Sequence, residues 1–78
     1  MPIEIRAQDR AGLMWEIGEI AAQENINMTN IRATVQTGKV LFSATMEIDN
    51  YATLTRALNK IEQLESVLTA RRKGSQPS

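Results

Sequence analysis

The feature that most constrains this chain is a change of hydrophobic period at Asp9-Arg10-Ala11-Gly12-Leu13. Before it, apolar residues alternate (Ile3, Ile5, Ala7); after it, they recur at helical spacing (Leu13, Ile17, Ile20, Ala21). A strand must therefore hand over to a helix within a few residues. In such an elbow Asp9 is placed to accept bonds from the orphan amides of the first helical turn. Gly12 offers a position where another backbone or a small ligand can approach. The elbow is thus either a ligand site or a capped and packed turn, and the motif alone leaves both readings open.

Downstream, the helix is expected from about Ala11 to Gln23, with Glu16, Glu19, Gln23 and Glu24 turned to water and Met14 joining the apolar stripe. Gly18 inside it suggests a close crossing over the sheet or against another subunit. Trp15 falls off the stripe, near Gly18 and Ala22, where it is partly exposed or covers an interface. Asn25-Ile26-Asn27 ends the helix, and a second strand runs through Met28 to Gln36. Its apolar parity slips from even (Ile26, Met28) to odd (Ile31, Ala33, Val35), which a β-bulge near Thr29 or Asn30 reconciles.

Thr37-Gly38-Lys39 reads as a tight hairpin leading into a cleanly alternating third strand (Val40, Phe42, Ala44, Met46, Ile48). Asp49 or Asn50 caps a second helix carrying Leu54, Ala57, Leu58 and Ile61, with Arg56, Lys60 and Glu62 on its wet side and an end near Gln63 or Leu64. Val67 to Arg72 form a last short strand. The order βαββαβ closes as an α+β, ferredoxin-like fold: a four-stranded antiparallel sheet with both helices on one face. Residues 1–73 make one domain, and the polar tail 74–78 is expected to be disordered. Leu41, Ser43, Thr45, Glu4 and Arg6 point to the uncovered face of the sheet.

Composition narrows the function. The chain has 78 residues, no His and no Cys, so the commonest general base and the thiolate metal ligands are absent, and no metal or cofactor is implied. Nine basic residues balance nine acidic ones, which removes a long-range field for nucleic acid or anionic membrane. No apolar run spans a bilayer and no signal peptide opens the chain, so the expected location is the cytoplasm. A domain this small is marginal alone, and self-association is the natural remedy.

The strand, then Asp9-Arg10-Ala11-Gly12-Leu13-Met14, Ile17, Ile20-Ala21 and Glu24-Asn25-Ile26-Asn27-Met28, resembles the ACT domain signature over residues 3–72. With Ser66-Val67-Leu68-Thr69-Ala70-Arg71-Arg72 at the end, it is similar in particular to the C-terminal ACT domain of RelA/SpoT-family (p)ppGpp synthetase/hydrolases, the GTP pyrophosphokinases. The resemblance implies a non-catalytic regulatory domain of a larger enzyme that senses a small ligand, usually an amino acid. It further implies a homodimer, side by side or face to face, with the ligand at the interface near the first strand-to-helix loop. Carried to this chain, the ligand-binding positions are Asp9, Arg10, Ala11, Gly12, Leu13 and Asn27. The chain departs from the pattern at Ala11, where the family often has Pro, and at Ala7, where some amino-acid-binding members carry a polar side chain.

Three readings compete. A sensor would hold a carboxylate on the Gly12 helix terminus, with Asp9 or Asn27 answering an ammonium. An interaction module would instead use the open face, Trp15 and the basic end Arg71-Arg72-Lys73; in the RelA/SpoT resemblance that end of the parent relays signals between ribosome and catalytic domains. An RNA-recognition motif shares the topology but needs outward aromatics on the central strands, and Lys39 to Met46 offers only the inward Phe42. An acylphosphatase-type enzyme would need a phosphate-cradling loop richer in Gly and Arg than this elbow. A chain that starts at a strand and ends in a polar tail also suggests a domain excised from a larger protein.

Overall fold

A computed structural model describes residues 1–73; the expectation of disorder at 74–78 lies outside the described residues. The elements are β1 (Pro2–Gln8), α1 (Leu13–Gln23), β2 (Asn27–Gln36), β3 (Lys39–Glu47), α2 (Tyr51–Glu62) and β4 (Val67–Arg72). They form one antiparallel sheet in the order β2-β3-β1-β4, with β2 and β4 at its edges. The alternation of β1 and β3 sends Ile3, Ile5, Ala7, Val40, Phe42, Ala44 and Met46 to one face, all buried. There they meet Leu13, Ile17 and Ala21 of α1 and Leu54, Ala57, Leu58 and Ile61 of α2 in a single core. At about 25 cal/mol per Å² of apolar area removed from water, this shared face dominates the stability of the fold.

The turns follow their residues. Thr37 and Gly38 both have positive φ (48° and 76°), as a two-residue hairpin with the right-handed twist of its strands requires. Helix α1 closes in a Schellman motif: Ile26 N–H donates to the Ala21 carbonyl at 2.8 Å and Asn25 N–H to Ala22 at 3.0 Å, with Asn25 left-handed at φ 57°. Asn50 caps α2 by accepting from the Thr53 amide at 2.9 Å. The β2–β3 register shifts between Thr29 and Arg32, where Asn30 has φ 54°; this is the expected bulge.

Beyond the bulge the register pairs Ala33 with Phe42 and Val35 with Val40, so the odd residues of β2 do turn to the helix side. They are not buried: Ile31 and Val35 remain 47% and 56% exposed. As an edge strand, β2 has helix cover only at its start, where Met28 packs against the core.

Three local expectations are corrected. Helix α1 begins at Leu13, not Ala11, because Gly12 is its N-cap residue in a left-handed conformation. Gly18 makes no close crossing inside the protomer, since a Cβ there would meet nothing within 4 Å. Glu24 is not turned to water. Its side chain is 9% exposed and accepts from Arg56 Nε at 2.8 Å and Lys60 Nζ at 2.7 Å, tying the end of α1 to α2. These two cations hold the Glu24 carboxyl below the usual carboxylate range, with the bond from Lys60 the larger influence.

Candidate functional site

The elbow between β1 and α1 is pinned from both sides. The Gln8 amide donates to the Ser66 carbonyl at 2.8 Å and the Asp9 amide to the Gly38 carbonyl at 2.8 Å, so the loop before β4 and the β2–β3 hairpin both brace it. Gly12 has φ 82° and ψ −4°. That backbone, and not crowding, is what demands glycine here, since a Cβ on Gly12 would again find nothing within 4 Å. Ala11 lies in the turn ahead of the helix, outside the first helical turn, where the pre-set φ of a proline would act differently from an N1 proline.

Asp9 does not cap the helix. No side chain caps α1 at all, and the Asp9 carboxylate accepts no hydrogen bond among the described residues. The Leu13 amide makes one long bond, 3.4 Å to the Arg10 carbonyl, and the first regular donation is Glu16 N–H to the Gly12 carbonyl at 3.0 Å. The amides of Ala11, Gly12, Met14 and Trp15 therefore have no acceptor among the described residues. They sit at the positive end of the α1 dipole, a few positions after Asp9, whose carboxylate is uncommitted among the described residues. Such an arrangement can take an anion on the amides and a cation on Asp9, which is the charge pattern of a zwitterion.

Arg10 is not a solvated bystander. Its Nε donates to Ser66 Oγ at 2.9 Å and its Nη2 to Glu16 Oε2 at 2.6 Å, so its side chain ties the loop before β4 to the first turn of α1. Leu13 is buried in the core, leaving its amide as its contribution. Ala7, 1% exposed, faces the core beneath the helix, where a polar side chain would have to be accommodated. Ser66 is the structural member that sequence reasoning did not find. It is far from the elbow in the chain, and no local pattern marks it.

Asn27 is not brought to the elbow within one protomer. It opens β2, pairs with Glu47, and donates from Nδ2 to Glu47 Oε1 at 3.1 Å. The elbow lies at the other end, where Gln8 pairs with Lys39. The two are separated by the length of β3, about 26 Å of extended strand. Beside the elbow, Trp15 is 68% exposed. Among the described residues no group of three or more acidic side chains could hold a metal ion.

Comparison with known proteins decides the family. A family model described as ACT domain matches residues 1–72. The chain belongs to the ACT domain family. It is 35% identical over 72 residues to the GTP pyrophosphokinase of Escherichia coli strain K12, and 33% identical over 72 residues to that of Haemophilus influenzae. Each match covers 90% of this chain and 10% of the relative, so the chain spans about a tenth of the length of these curated relatives. Among solved structures, the ACT domain from the GTP pyrophosphokinase of Chlorobium tepidum superposes with a TM-score of 0.77 at 20% identity, covering 90% of this chain and 91% of that one. This ACT fold is the ferredoxin-like βαββαβ arrangement described above.

Proposed function

We propose that this ACT domain is a non-catalytic sensor that works as a homodimer and holds an amino acid between its two copies. The observation that carries the reading is the division of the site: unpaired amides and Asp9 at one end of the edge strand, Asn27 at the other. Two β2 strands pairing antiparallel about a twofold axis would lay the Asn27 end of one copy beside the elbow of the other. The same pairing would cover Ile31 and Val35, whose exposure on an edge strand is otherwise a liability. The amino-acid carboxylate would rest on the amides of Gly12 and Met14, its ammonium on Asp9, and the second copy's Asn27 would close the site.

In this reading the module belongs to a cytoplasmic RelA/SpoT-type GTP pyrophosphokinase of the stringent response, and the other domains of that parent carry the chemistry. A second reading is favoured by Trp15, 68% exposed, and by the exposed Arg71, Arg72 and Lys73: an interaction module for a parent domain or the ribosome, with no small ligand. Amide shift perturbation with each of the twenty amino acids at millimolar concentration separates the two. Saturable shifts at residues 9–14 together with 27, in a chain that sediments at twice its monomer mass, are expected of the sensor. A monomer with no shift at any amino acid would refute it and leave the interaction module.

A further inference from the structure

The face of the sheet that the helices leave open carries a concavity of about 360 Å³, on the opposite side of the sheet from the core. Its floor is set by register. Arg6 of β1 pairs with Leu41 of β3, and Lys39 pairs with Gln8. Arg6 and Lys39 are thus diagonal neighbours on one face, roughly 7–8 Å apart at their Cα atoms. On the β2 side, Thr34 stands opposite Leu41 and Gln36 opposite Lys39. On the β4 side, Leu68 lies where the β1–β4 register shifts between Arg6 and Ala7, and it is 55% exposed.

Two features of this hollow are unsatisfied. Neither Arg6 nor Lys39 has an ion-pair or side-chain hydrogen-bond partner among the described residues, although Glu4 lies two positions along β1 on the same face. Leu41 and Leu68 give it an apolar wall that water covers poorly. Next to it, the Thr69 hydroxyl, on β4 opposite Arg6, is buried with no partner. A bare inorganic anion would use the cations and leave the leucines wet; a neutral hydrocarbon would desolvate two unpaired charges. Only a molecule with both an anionic head and an apolar body uses all of the lining.

We propose that this hollow is a second ligand site, independent of the elbow, for a small organic anion with a hydrocarbon body. Its head lies between Arg6 and Lys39, with the Thr34 hydroxyl and Gln36 amide as further polar partners, and its chain lies on Leu41 and Leu68. Because all six side chains stand on the open face, their replacement leaves the core intact.

The test is an amide and side-chain shift titration of the 78-residue chain with three probes: hexanoate, hexanamide and inorganic phosphate. Hexanoate is expected to give saturable shifts at residues 6, 34, 39, 41 and 68 with a dissociation constant in the millimolar range. Arg6→Gln and Lys39→Gln should each weaken it about tenfold, the loss of one charge-assisted partner, with the rest of the spectrum unchanged. Hexanamide should bind at least several-fold more weakly, and phosphate should shift Arg6 and Lys39 without Leu41 or Leu68. The proposal is overturned if hexanoate gives no saturable shift, or if the charge substitutions leave its affinity unaltered. It is equally overturned if hexanamide binds as well as hexanoate, or if phosphate matches hexanoate in affinity.

Discussion

Arg10 and Ser66, 56 positions apart in the chain, are joined side chain to side chain, with Nε donating to Oγ at 2.9 Å. The two partners are unequal: Ser66 is 6% exposed, whereas the Arg10 side chain is 39% exposed. Deleting the arginine strands a buried hydroxyl, while deleting the hydroxyl leaves a guanidinium that water can solvate. Arg10→Ala is therefore expected to destabilise by about 1–3 kcal/mol and Ser66→Ala by less than half of that, read as denaturant midpoints. Equal costs would show that the stranded Ser66 hydroxyl is not the source of the loss.

Glu24 supplies a pH dependence. With its carboxyl held below the ordinary value of 4.5 by Lys60 and Arg56, the folded state binds its proton less readily than the unfolded state. The stabilisation is then fully present above the unfolded value and is lost as pH falls through the lower, folded one. Thermal midpoints of the parent and Glu24→Gln should differ most at neutral pH and converge below about pH 4, a window set by the carboxylate reference range. A gap that stays constant down to pH 3 would remove the ion-pair hub as its cause.

At Gly12 the cost of a side chain is conformational. With φ at 82° and open space around the Cβ position, Gly12→Ala meets no clash but must hold an L-residue in the left-handed region. A loss of about 1–2 kcal/mol is expected, by urea denaturation. Gly12→Asn should lose less, because Asn enters that region more readily. If Ala and Asn were equally costly, or Ala neutral, φ would not be the reason for glycine.

Legibility in the sequence tracked the range of the interactions. The alternation in β1 and β3 and the helical periods of α1 and α2 are local and state their burial directly, and so did the parity slip that located the Asn30 bulge. What was not legible depends on distant partners. Ile31 and Val35 carry the parity of a buried face, yet the edge position of β2 leaves them exposed, and edge position is decided by how β1 and β4 insert. Glu24 reads as a surface acid until α2 sets two cations against it. At the elbow, Asp9 before a helix is a capping signal, but Gly12 in the left-handed conformation starts the helix two residues later, at Leu13, and leaves Asp9 uncommitted.

The separation of Asn27 from Asp9 and Gly12 permits a test that no single-chain site can pass. If each ligand site takes its elbow from one copy and its Asn27 from the other, Asp9→Asn and Asn27→Ala should each abolish binding in a homodimer, because every site then lacks one member. Mixed and refolded together, the two variants form a heterodimer. One of its sites joins the intact elbow of the Asn27→Ala copy to the Asn27 of the Asp9→Asn copy, and its other site lacks both. At equal input a statistical half of the dimers are mixed, so calorimetry should recover about one quarter of the parental sites at parental affinity, as expected for closed twofold pairing. Asn in place of Asp at position 9 keeps the size of the side chain and removes the charge that would meet an ammonium, so the loss reads as electrostatic and not as misfolding. Should Asn27→Ala bind the amino acid as the parent does, so that the mixture keeps about half of the parental sites, the site lies within one protomer, Asn27 is only the partner of Glu47, and the interface model fails.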